Sequence, residues 1–528
     1  MFLVLTTLWL IRETKAILFW LYLWQLKEYH IGHFLDHFQT EKGKQLIFNK
    51  VLGLKLVFLL VFFIYSVFLP YALLVLYLLE LAKAFKDFVQ KKLKIPVLTK
   101  KTVFLISSGL LVEILVLLLL FLNVKNIYGF AFWLLVFDIL TPFIISIIVL
   151  LFQPLAVLGR NRIIKKAKKK RESFQNLLVI GITGSYGKTS TKEFLTTILS
   201  QKYNVLKTLE HQNSEVGISQ CILNDLKSEH EIFIVEMGAY NRGGIKLLCN
   251  IAKPKIGILT GINEQHMATF GSLENTICTK FELIESLPID GIAIFNGNNP
   301  YCSELYEKIM IKKRVYSLQS LIYGSPPDLW AHNVKAEKDF VTFRAISKDG
   351  DSAEFKVNVL GAHNVLDILG ATAVAKELGM TLEEIAEACR RITPQMGAMK
   401  LLKGINGLNI IDSTYSANPD GVISALEYLK IWPQKKVIVM PCLIELGKAS
   451  KEVHKRIGQK IGEVCDLAII TTKDRFKEIQ EGASSALFIE NPKEIFEKIK
   501  SFCREDDVVL LESRLPRELI KELIINNQ

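Results

Sequence analysis

The first third of the chain consists of long apolar runs, whereas the rest alternates short apolar runs with amphipathic stretches. Residues 103–122 and 128–152 are apolar apart from a few small polar residues and one acid each, Glu113 and Asp138. Each run is long enough to cross a bilayer core as a helix. An acid inside such a helix marks a functional site or an interhelical hydrogen bond, and the sequence leaves both readings open.

Two further apolar runs precede this pair. Residues 51–82 are too many for one ordinary span, and Pro70 lies in the second half, so the run predicts two short helices or one kinked helix. Residues 1–24 are interrupted by three charged side chains. That run fits a span, an interfacial helix or an uncleaved signal-anchor, because no small-residue cleavage site follows it.

Beyond residue 171 the pattern predicts two α/β units. Apolar strand candidates alternate with helical stretches, which is typical of a doubly wound parallel sheet. The first set of strand candidates is 178–182, 232–235, 256–259 and 291–295. The second set, in a smaller Rossmann-like unit, is 409–411, 436–440, 467–471 and 508–511. Between the sets, residues 301–355 predict small antiparallel strands, followed by helices at 365–378 and 382–392.

Charge is divided as unevenly as hydropathy. Residues 1–171 carry a net charge of +15, and the remainder carries −3, so the basic excess does not indicate nucleic-acid binding by the α/β part. Lysines cluster at 83–101, and eight basic residues without an acid occupy 160–171. The positive-inside rule places both clusters in the cytoplasm, and therefore also everything after residue 171. The juxtamembrane position of the run 160–171 favours contact with anionic lipid headgroups. All eight cysteines lie in the α/β part without a C-x-x-C pair, which predicts reduced, mostly buried thiols.

One motif carries the clearest chemistry. Residues 181–190 read Gly-Ile-Thr-Gly-Ser-Tyr-Gly-Lys-Thr-Ser, between an apolar strand and a helix. Such a glycine turn points backbone N–H groups at phosphates, Lys188 adds positive charge and Thr189 offers a hydroxyl to Mg²⁺. The alternative is a glycine turn with a chance Gly-Lys-Thr. The predicted nucleotide-binding residues are Thr183, Gly184, Ser185, Tyr186, Gly187, Lys188, Thr189 and Ser190.

Other polar residues follow the ends of predicted strands. Glu236 comes directly after the strand 232–235, where a carboxylate can reach Mg²⁺ bound to phosphates. His266 follows the next strand and its turn, so it is a candidate second metal ligand, although lone histidines are more often structural. Lys280 is expected on a helix and, by composition alone, is a surface lysine.

These segments together resemble the Mur ligases, which build the peptide of bacterial cell walls, and are most similar to the MurF type. The resemblance covers about residues 177–515 in one order. It includes the loop at 183–190, the asparagine-rich segment 207–218 and the Val-Glu-Met-Gly segment at Glu236. It continues through His266, the helix at Lys280, Gly361 with Asn364, the turn 412–419, and Glu445-Leu-Gly with His454. The implied division is a multi-span transmembrane region 1–158, a basic juxtamembrane linker 159–175, a central ATP-binding domain 176–396 and a C-terminal domain 397–528.

The resemblance implies ATP-dependent amide formation through an acyl phosphate, with ATP and two Mg²⁺ ions. Lys188, His266 and Lys280 would be catalytic. Thr189 and Glu236 would hold one ion, and His266 with a carbamylated Lys280 the other. Asn364 would contact the base and Asp412 the ribose. The implied partners are a muramoyl-peptide or lipid-linked precursor, an amino acid or dipeptide, and membrane lipids.

The chain departs from the family pattern in several places. Gly397-Ala-Met399 replaces Gly-Arg-Met, Asp412-Ser413 replaces paired aspartates, and Leu511-Glu-Ser-Arg514 replaces Lys-Gly-Ser-Arg. Apolar helices stand where a UDP-binding domain is expected. The interpretations are therefore a membrane-anchored cell-wall amide ligase, a related ligase with a lipid-linked substrate, a transporter or sensor driven by an ATPase domain, or a non-catalytic scaffold.

Overall fold

The computed structural model divides the chain into two compact units, Met1–Arg160 and Asn161–Gln528. It describes residues 1–27, 29–38, 41–90, 93–322, 324–393, 399–415 and 418–524. Residues 397 and 398 of the Gly-Ala-Met departure, and residues 416–417 of the turn 412–419, lie outside the described residues.

The first unit is helical. Its helices are α1 (Phe2–Leu26), α2 (Ile31–His37), α3 (Glu41–Ile47), α4 (Lys50–Phe62), α5 (Phe68–Val89), α6 (Lys100–Asn123) and α7 (Ile127–Leu151), and α8 (Gln153–Glu172) contains the division at residue 160. Four helical stretches are long and apolar enough to cross a membrane: Gly43–Phe62, Phe68–Val89, Lys100–Asn123 and Ile127–Glu172. α1 is not among these four.

Local sequence explains where these helices begin. Thr99 caps α6 in a reciprocal capping box with Thr102, and the Asn126 side chain caps α7. The run 51–82 forms two helices rather than one kinked helix. Pro70 lies in the first turn of α5, where a missing backbone N–H costs nothing. The basic run 160–171 is helical, as part of α8.

The central domain is built on a nine-stranded sheet in the order β2-β3-β1-β4-β5-β6-β7-β8-β9. Its strands are β1 (Leu178–Thr183), β2 (Val205–Lys207), β3 (Ile232–Glu236), β4 (Ile256–Leu259), β5 (Ile292–Asn296), β6 (Lys312–Ser317), β7 (Leu329–Ala336), β8 (Val341–Ser347) and β9 (Ser352–Val357). β2 to β7 are parallel, and β7 to β9 are antiparallel. Within the range 301–355, where antiparallel strands are predicted, β7 to β9 are antiparallel and extend the main sheet, whereas β6 pairs in parallel with β5 and β7, contrary to the prediction.

Helices cover both faces of this sheet. They are α9 (Lys188–Leu199), α10 (Glu215–Asn224), α11 (Gly244–Ala252), α12 (Met267–Phe270), α13 (Leu273–Glu285), α14 (Pro300–Glu307), α15 (Asn364–Glu377) and α16 (Leu382–Cys389). Two separate apolar clusters pack on the sheet, one including α9, α15 and α16 and the other including α10, α11 and α13. The helix expected at 382–392 is shorter, because α16 ends at Cys389.

The C-terminal domain has a six-stranded sheet in the order β10-β11-β15-β12-β13-β14, parallel except for β10. Its elements are β10 (Lys400–Lys403), β11 (Asn409–Ser413), α17 (Pro419–Leu429), β12 (Lys436–Met440), α18 (Ser450–Val464), β13 (Leu467–Ile470), α19 (Phe476–Gly482), β14 (Ala486–Phe488), α20 (Pro492–Phe502), β15 (Val508–Glu512) and α21 (Arg517–Leu523). All eight strands that the sequence predicts are confirmed in type, with ends shifted by at most two residues. The eight cysteines are free thiols, and six are buried, as predicted.

The strand order determines where a ligand can bind. After β1 the chain crosses to the edge strand β2, returns through β3 next to β1, and continues with β4 on the other side of β1. At such a reversal the loops after neighbouring strands diverge and leave a crevice beyond their carboxyl ends. The phosphate loop, Glu236 and His266, which the sequence predicts as functional, lie at the carboxyl ends of β1, β3 and β4 or in the loops that follow.

Candidate functional site

The loop after β1 requires glycine at two positions. Gly187 has φ +75°, and a Cβ there would come within 2.3 Å of a carboxylate oxygen of Asp367. At Gly184 a Cβ would meet the Thr260 hydroxyl at 2.1 Å. α9 begins directly after the loop, at Lys188. The backbone N–H groups of the first turn of α9 are therefore presented by a tight turn, which is the arrangement of a phosphate cradle.

Lys188 is held close to this turn. Its Nζ donates to the carbonyl oxygens of Gly184 at 2.8 Å and Ser185 at 3.3 Å. Burial lowers the pKa of its ammonium, and the nearby carboxylates of Glu236 and Asp367 act in the opposite direction. A phosphate group in the cradle would supply a stronger anionic partner than these carbonyl groups.

Glu236 lies at the end of β3 and is the centre of a polar network. One oxygen accepts from the Thr189 hydroxyl at 3.0 Å and from Lys192 Nζ at 3.3 Å, and the other accepts from Asn213 at 3.1 Å. Burial opposes its charge, but Lys188, Lys192 and these hydrogen bonds outweigh burial and lower the pKa of the carboxyl. Glu236 is therefore an ionised carboxylate beside the Thr189 hydroxyl, and these are oxygen ligands that suit Mg²⁺.

Lys280 is not a surface residue, in contrast to the reading by composition. It lies on α13, as predicted, and is 3% exposed. Burial and the charge of Lys188 lower the pKa of its amine to about 7, with Glu282 and Glu236 acting in the opposite direction. A substantial fraction of this amine is therefore neutral and nucleophilic near pH 7, in the electrostatic field of Lys188 and Glu236.

His266 connects the two domains of the second unit. Its backbone has φ +59°, and its Nδ1 is 2.7 Å from a carboxylate oxygen of Glu445 in the C-terminal domain. The Tyr240 ring contacts the imidazole edge to face. A histidine whose Nδ1 is oriented by a carboxylate presents Nε2 to a metal in many proteins. His454 stabilises the loop before Glu445 by accepting from the backbone N–H of Leu443 at 2.9 Å.

Two further contacts bring the C-terminal domain to the phosphate loop. The Asn263 amide donates to Asp420 on α17 at 2.6 Å. The Tyr415 hydroxyl interacts with Thr189, and burial together with the carboxylates of Glu210 and Glu236 raises its pKa to about 12. These contacts place residues of the C-terminal domain beside the phosphate loop.

The predicted base and ribose contacts are Asn364 and Asp412. Asn364 is buried at the start of α15. Its amide nitrogen donates to the Leu360 carbonyl at 2.8 Å, and its Oδ1 accepts no hydrogen bond within the described part of the chain. Asp412 accepts from the backbone N–H of Thr414 at 3.0 Å and from the hydroxyl of that residue at 2.6 Å. Asn364 therefore offers an open acceptor, whereas Asp412 stabilises its own turn.

Among the described residues, no three His, Cys, Asp or Glu side chains are close enough to form a metal site of their own. The donor set that fits Mg²⁺ is the Thr189 hydroxyl with the Glu236 carboxylate, with phosphate oxygens and water completing the coordination. A carboxylated Lys280 amine would add a second anionic protein ligand in this region. His266 could coordinate a metal ion only through Nε2, because its Nδ1 is paired with Glu445.

Comparison with known families agrees with this geometry. Residues 182–375 match the family described as "Mur ligase middle domain". Residues 399–515 match the one described as "Mur ligase, glutamate ligase domain", and the two matches together cover more than half of the chain. The chain belongs to the Mur ligase family. Both matched segments of this Mur ligase lie in its second unit.

Individual relatives give the same result. The Mur ligase is 28% identical over 359 residues to UDP-N-acetylmuramoyl-tripeptide--D-alanyl-D-alanine ligase of Bacillus subtilis (strain 168), covering 66% of the chain and 76% of the relative. It is 32% identical over 304 residues to the ligase of the same name from Mycobacterium leprae (strain TN), covering 54% and 59%. The chain thus spans less than two thirds of the length of several curated relatives that it matches.

Solved structures confirm the fold. MurF from Acinetobacter baumannii superposes with a TM-score of 0.63 at 25% identity, covering 69% of this chain and 80% of the other. The MurF ligase from Thermotoga maritima in complex with ADP superposes with a TM-score of 0.61 at 26% identity, covering 69% and 83%.

Several residues of the site were not identified from the sequence of this Mur ligase. Lys192 is fully buried against Glu236, and Asp367 lies against Gly187. Asn213 lies in the asparagine-rich segment 207–218, but its contact with Glu236 could not be predicted from the sequence. Tyr415 belongs to another domain. The only available signal was weak: Lys192 lies one helical turn after Lys188, on the same side of α9.

Glu512 gives a prediction about stability. It ends β15 opposite Ser413 and is fully buried, and burial raises the pKa of its carboxyl to about 8, while Ser413 and Ser513 lower it less. The folded state therefore keeps a proton that the unfolded state loses, so the unfolding free energy falls as the pH rises from about 4.5 to about 8. We expect Glu512→Gln to remove this loss and to stabilise the C-terminal domain by on the order of 2 kcal/mol above pH 8.

Hydrogen exchange of the β11 and β15 amides, corrected for intrinsic rates at about pH 6 and about pH 8.5, measures this effect. The matched control is Glu505→Gln, an acid in the loop before β15. Equal protection of the Glu512→Gln variant and the parent at the higher pH would contradict the assignment.

Proposed function

We propose that this Mur ligase forms an amide bond at the expense of ATP, between a muramoyl-peptide carboxylate and an amine, of which D-alanyl-D-alanine is the first candidate. The observation that carries the proposal is the convergence of a phosphate loop, an ionised carboxylate and a buried lysine with a lowered pKa, beside residues of a second domain. An ATPase that drives a transporter or sensor does not need a second domain that contacts the catalytic loop through Tyr415.

We assign the binding of ATP to the loop Thr183–Ser190. Lys188 neutralises the charge of the terminal phosphates, and Asn364 accepts a hydrogen bond from the exocyclic amine of the base. Asp412 is the candidate for the ribose. The related MurF ligase from Thermotoga maritima, whose structure is in complex with ADP, supports nucleotide binding by this fold.

Mg²⁺ is assigned to the oxygen ligands described above. Thr189 and Glu236 would hold one ion. A second ion would use Lys280 in its carbamylated form together with His266, whose Nδ1 is already oriented by Glu445. Bound Mg²⁺ supplies charge neutralisation on the phosphates. Lys192 keeps Glu236 ionised and in position.

The reaction has two steps. A carboxylate oxygen of the acyl substrate attacks the γ-phosphorus, and the bond to the bridging oxygen breaks, which gives an acyl phosphate and ADP. The amine, after loss of a proton, attacks the acyl carbon, and inorganic phosphate leaves with the C–O bonding electrons. The protein contributes positioning and charge stabilisation, and contacts through Asp420 and Glu445 hold the C-terminal domain beside the site.

The substrates are inferred from the relatives. Ligases that share 28–32% identity with this chain are named for joining D-alanyl-D-alanine to a UDP-N-acetylmuramoyl-tripeptide. The Glu512 departure lies at the carboxyl edge of the C-terminal sheet. A different amino acid or dipeptide is the alternative amine.

We further propose that the protein is a multi-pass protein of the cell membrane with its catalytic domains in the cytoplasm. Four apolar helical stretches of sufficient length and the basic segment 160–171 support this localisation. Only five residues separate the end of α8 from β1, so the chain has no UDP-binding domain there. This absence favours a lipid-linked acyl acceptor over a soluble one.

The test uses the full-length protein in detergent micelles with ATP, Mg²⁺ and candidate amines. We expect phosphate release that requires both an acyl acceptor and an amine, and a product whose mass equals their sum minus water. UDP-linked tripeptide and lipid-linked precursor are compared at equal concentration. Amine-independent ATP hydrolysis would reject the ligase, and turnover of the UDP-linked tripeptide without preference for the lipid-linked acceptor would reject only the lipid-linked assignment.

A further inference from the structure

Charged side chains form a bonded network among the apolar helices of the first unit. Arg12 on α1 donates to Glu80 on α5 at 2.7 Å and also pairs with Glu13 and Asp138. Lys55 on α4 lies 3.1 Å from Asp138 and 3.4 Å from Glu80. Two cations thus face three carboxylates, and each member has an oppositely charged partner.

Glu113 on α6 is the exception. The residue is 7% exposed, and neither of its carboxylate oxygens has a hydrogen-bond partner in the part of the chain that the structure describes. An unpaired carboxylate is strongly disfavoured in apolar surroundings, so such residues in membrane-type helices are seldom without a function. Its charge needs a partner that the bonded network does not supply.

Glu113 lines a small cavity. The cavity has a volume of about 20 Å³ and is lined by Glu113, Glu13, Thr141, Gly109 and Trp9, and otherwise by aliphatic and aromatic side chains. This volume has room for about one water molecule or an ion of that size. Gly109 lies one helical turn before Glu113, and the side chains of Ile17 and Ile145 pack against it.

The cavity therefore brings two acids together. Glu13 accepts a hydrogen bond from Arg12 on one carboxylate oxygen and from the hydroxyl of Thr141, which also lines the cavity, on the other. Glu113 offers two free oxygens. With every group ionised, the network and Glu113 together carry two cations against four carboxylates, an excess that one small cation would reduce.

We propose that Glu113 and Glu13 form a binding site for one small monovalent cation, a proton or a sodium ion, within the helical N-terminal unit. In the proton form Glu113 carries the proton and donates it toward Glu13 or an intervening water. In the sodium form oxygens of both carboxylates and the Thr141 hydroxyl coordinate the ion. The site is separate from the ATP-dependent reaction and uses none of its residues.

The groups that act on Glu113 are few. α6 packs against α1 and α7. α1 contributes Glu13 and Arg12, which interact electrostatically with Glu113, and α7 contributes the Thr141 hydroxyl to the cavity. Asp138 of α7 is already bonded to Arg12 and Lys55. Occupancy by a cation therefore depends mainly on the two acids that line the cavity.

Dicyclohexylcarbodiimide tests the proposal, because it adds to protonated carboxyl groups in apolar surroundings and leaves a stable N-acylurea. The full-length protein in detergent is labelled at a series of pH values in choline buffer, and the modified peptide is identified by mass spectrometry. We expect labelling at Glu113 or Glu13 that falls about tenfold per pH unit above the pKa of the site. Glu113→Gln should lose the label at position 113, whereas Asp87→Asn, which removes a partly exposed acid near the end of α5, should keep it.

A second arm distinguishes the two cations. Sodium is added at constant pH and ionic strength, with potassium as control. Protection by sodium alone identifies a sodium site, and dependence on pH alone identifies a proton site; both support the proposal. It is overturned if neither acid is labelled at any pH, or if labelling is the same at every pH and sodium concentration. Amine-dependent phosphate release by Glu113→Gln, measured in parallel, keeps this result independent of the ligase assignment.

Discussion

Lys188→Ala is expected to lower amine-dependent phosphate release by about 10²–10³-fold, because the ammonium neutralises charge that develops on the transferred phosphoryl group. The structure supports this expectation, since Lys188 already lies within 3.3 Å of two carbonyl oxygens of the phosphate loop. The decisive quantity is kcat/KM for ATP at saturating acceptor and amine. Loss of transition-state stabilisation should lower kcat together with kcat/KM.

The matched control is Lys202→Ala. Lys202 follows the end of α9, and its exposed side chain pairs with Glu384 at 2.8 Å, so its removal should leave turnover within about twofold. A Lys188→Ala variant with parental turnover would show that the loop does not bind the reacting phosphates. Equal thermal midpoints for both variants and the parent would exclude unfolding as the cause of a loss.

Lys280→Ala should also reduce ligation by on the order of 10²-fold, but for a different reason. The buried neutral amine can add to CO₂, forming an N–C bond with release of one proton, and the resulting carbamate is an anionic oxygen ligand. Removal of dissolved CO₂ and bicarbonate should therefore slow the parent protein and leave the residual rate of Lys280→Ala unchanged. Restored bicarbonate should restore the parent.

Lys280→Glu provides the complementary measurement. A glutamate supplies an anion without CO₂, so this variant should retain more activity than Lys280→Ala and lose the dependence on bicarbonate. Lys308→Ala, which removes an exposed lysine paired with Glu304 on α14, is the control and should behave as the parent in both buffers. If the activity of the parent does not depend on CO₂ and Lys280→Ala is fully active, the assignment of Lys280 to the site is wrong.

Prediction from the sequence worked where the signal is local. The eight principal strands, the helix that contains Lys280 and the break before Pro70 depend on short hydrophobic patterns and on proline geometry, and the structure confirms them. The short strands β2, β10 and β14 were missed, because three or four residues carry too little periodicity. The sequence predicted antiparallel strands within 301–355 but did not assign them to the main sheet, since sequence pattern does not specify which sheet a strand joins.

The residues of the candidate site also fall into those that the sequence could identify and those that it could not. Residues that follow strand ends, such as Glu236, could be identified because parallel strands end at a common edge. Lys192 and Asp367 could not, since their burial depends on which helices pack together. The role of His266 is also incomplete without Glu445, which is 179 residues away in the sequence.

The sequence by itself therefore determined the phosphate loop, the alternation of strands and helices, and the apolar helices of the first unit, because each depends on residues that are close along the chain. Only the tertiary structure decided that Lys280 is a buried amine with a lowered pKa, that Asp420 and Glu445 contact the site from another domain, and that Glu113 lines a cavity without a hydrogen-bond partner among the described residues. These properties arise from desolvation and long-range contacts, which exist only after distant segments have packed together.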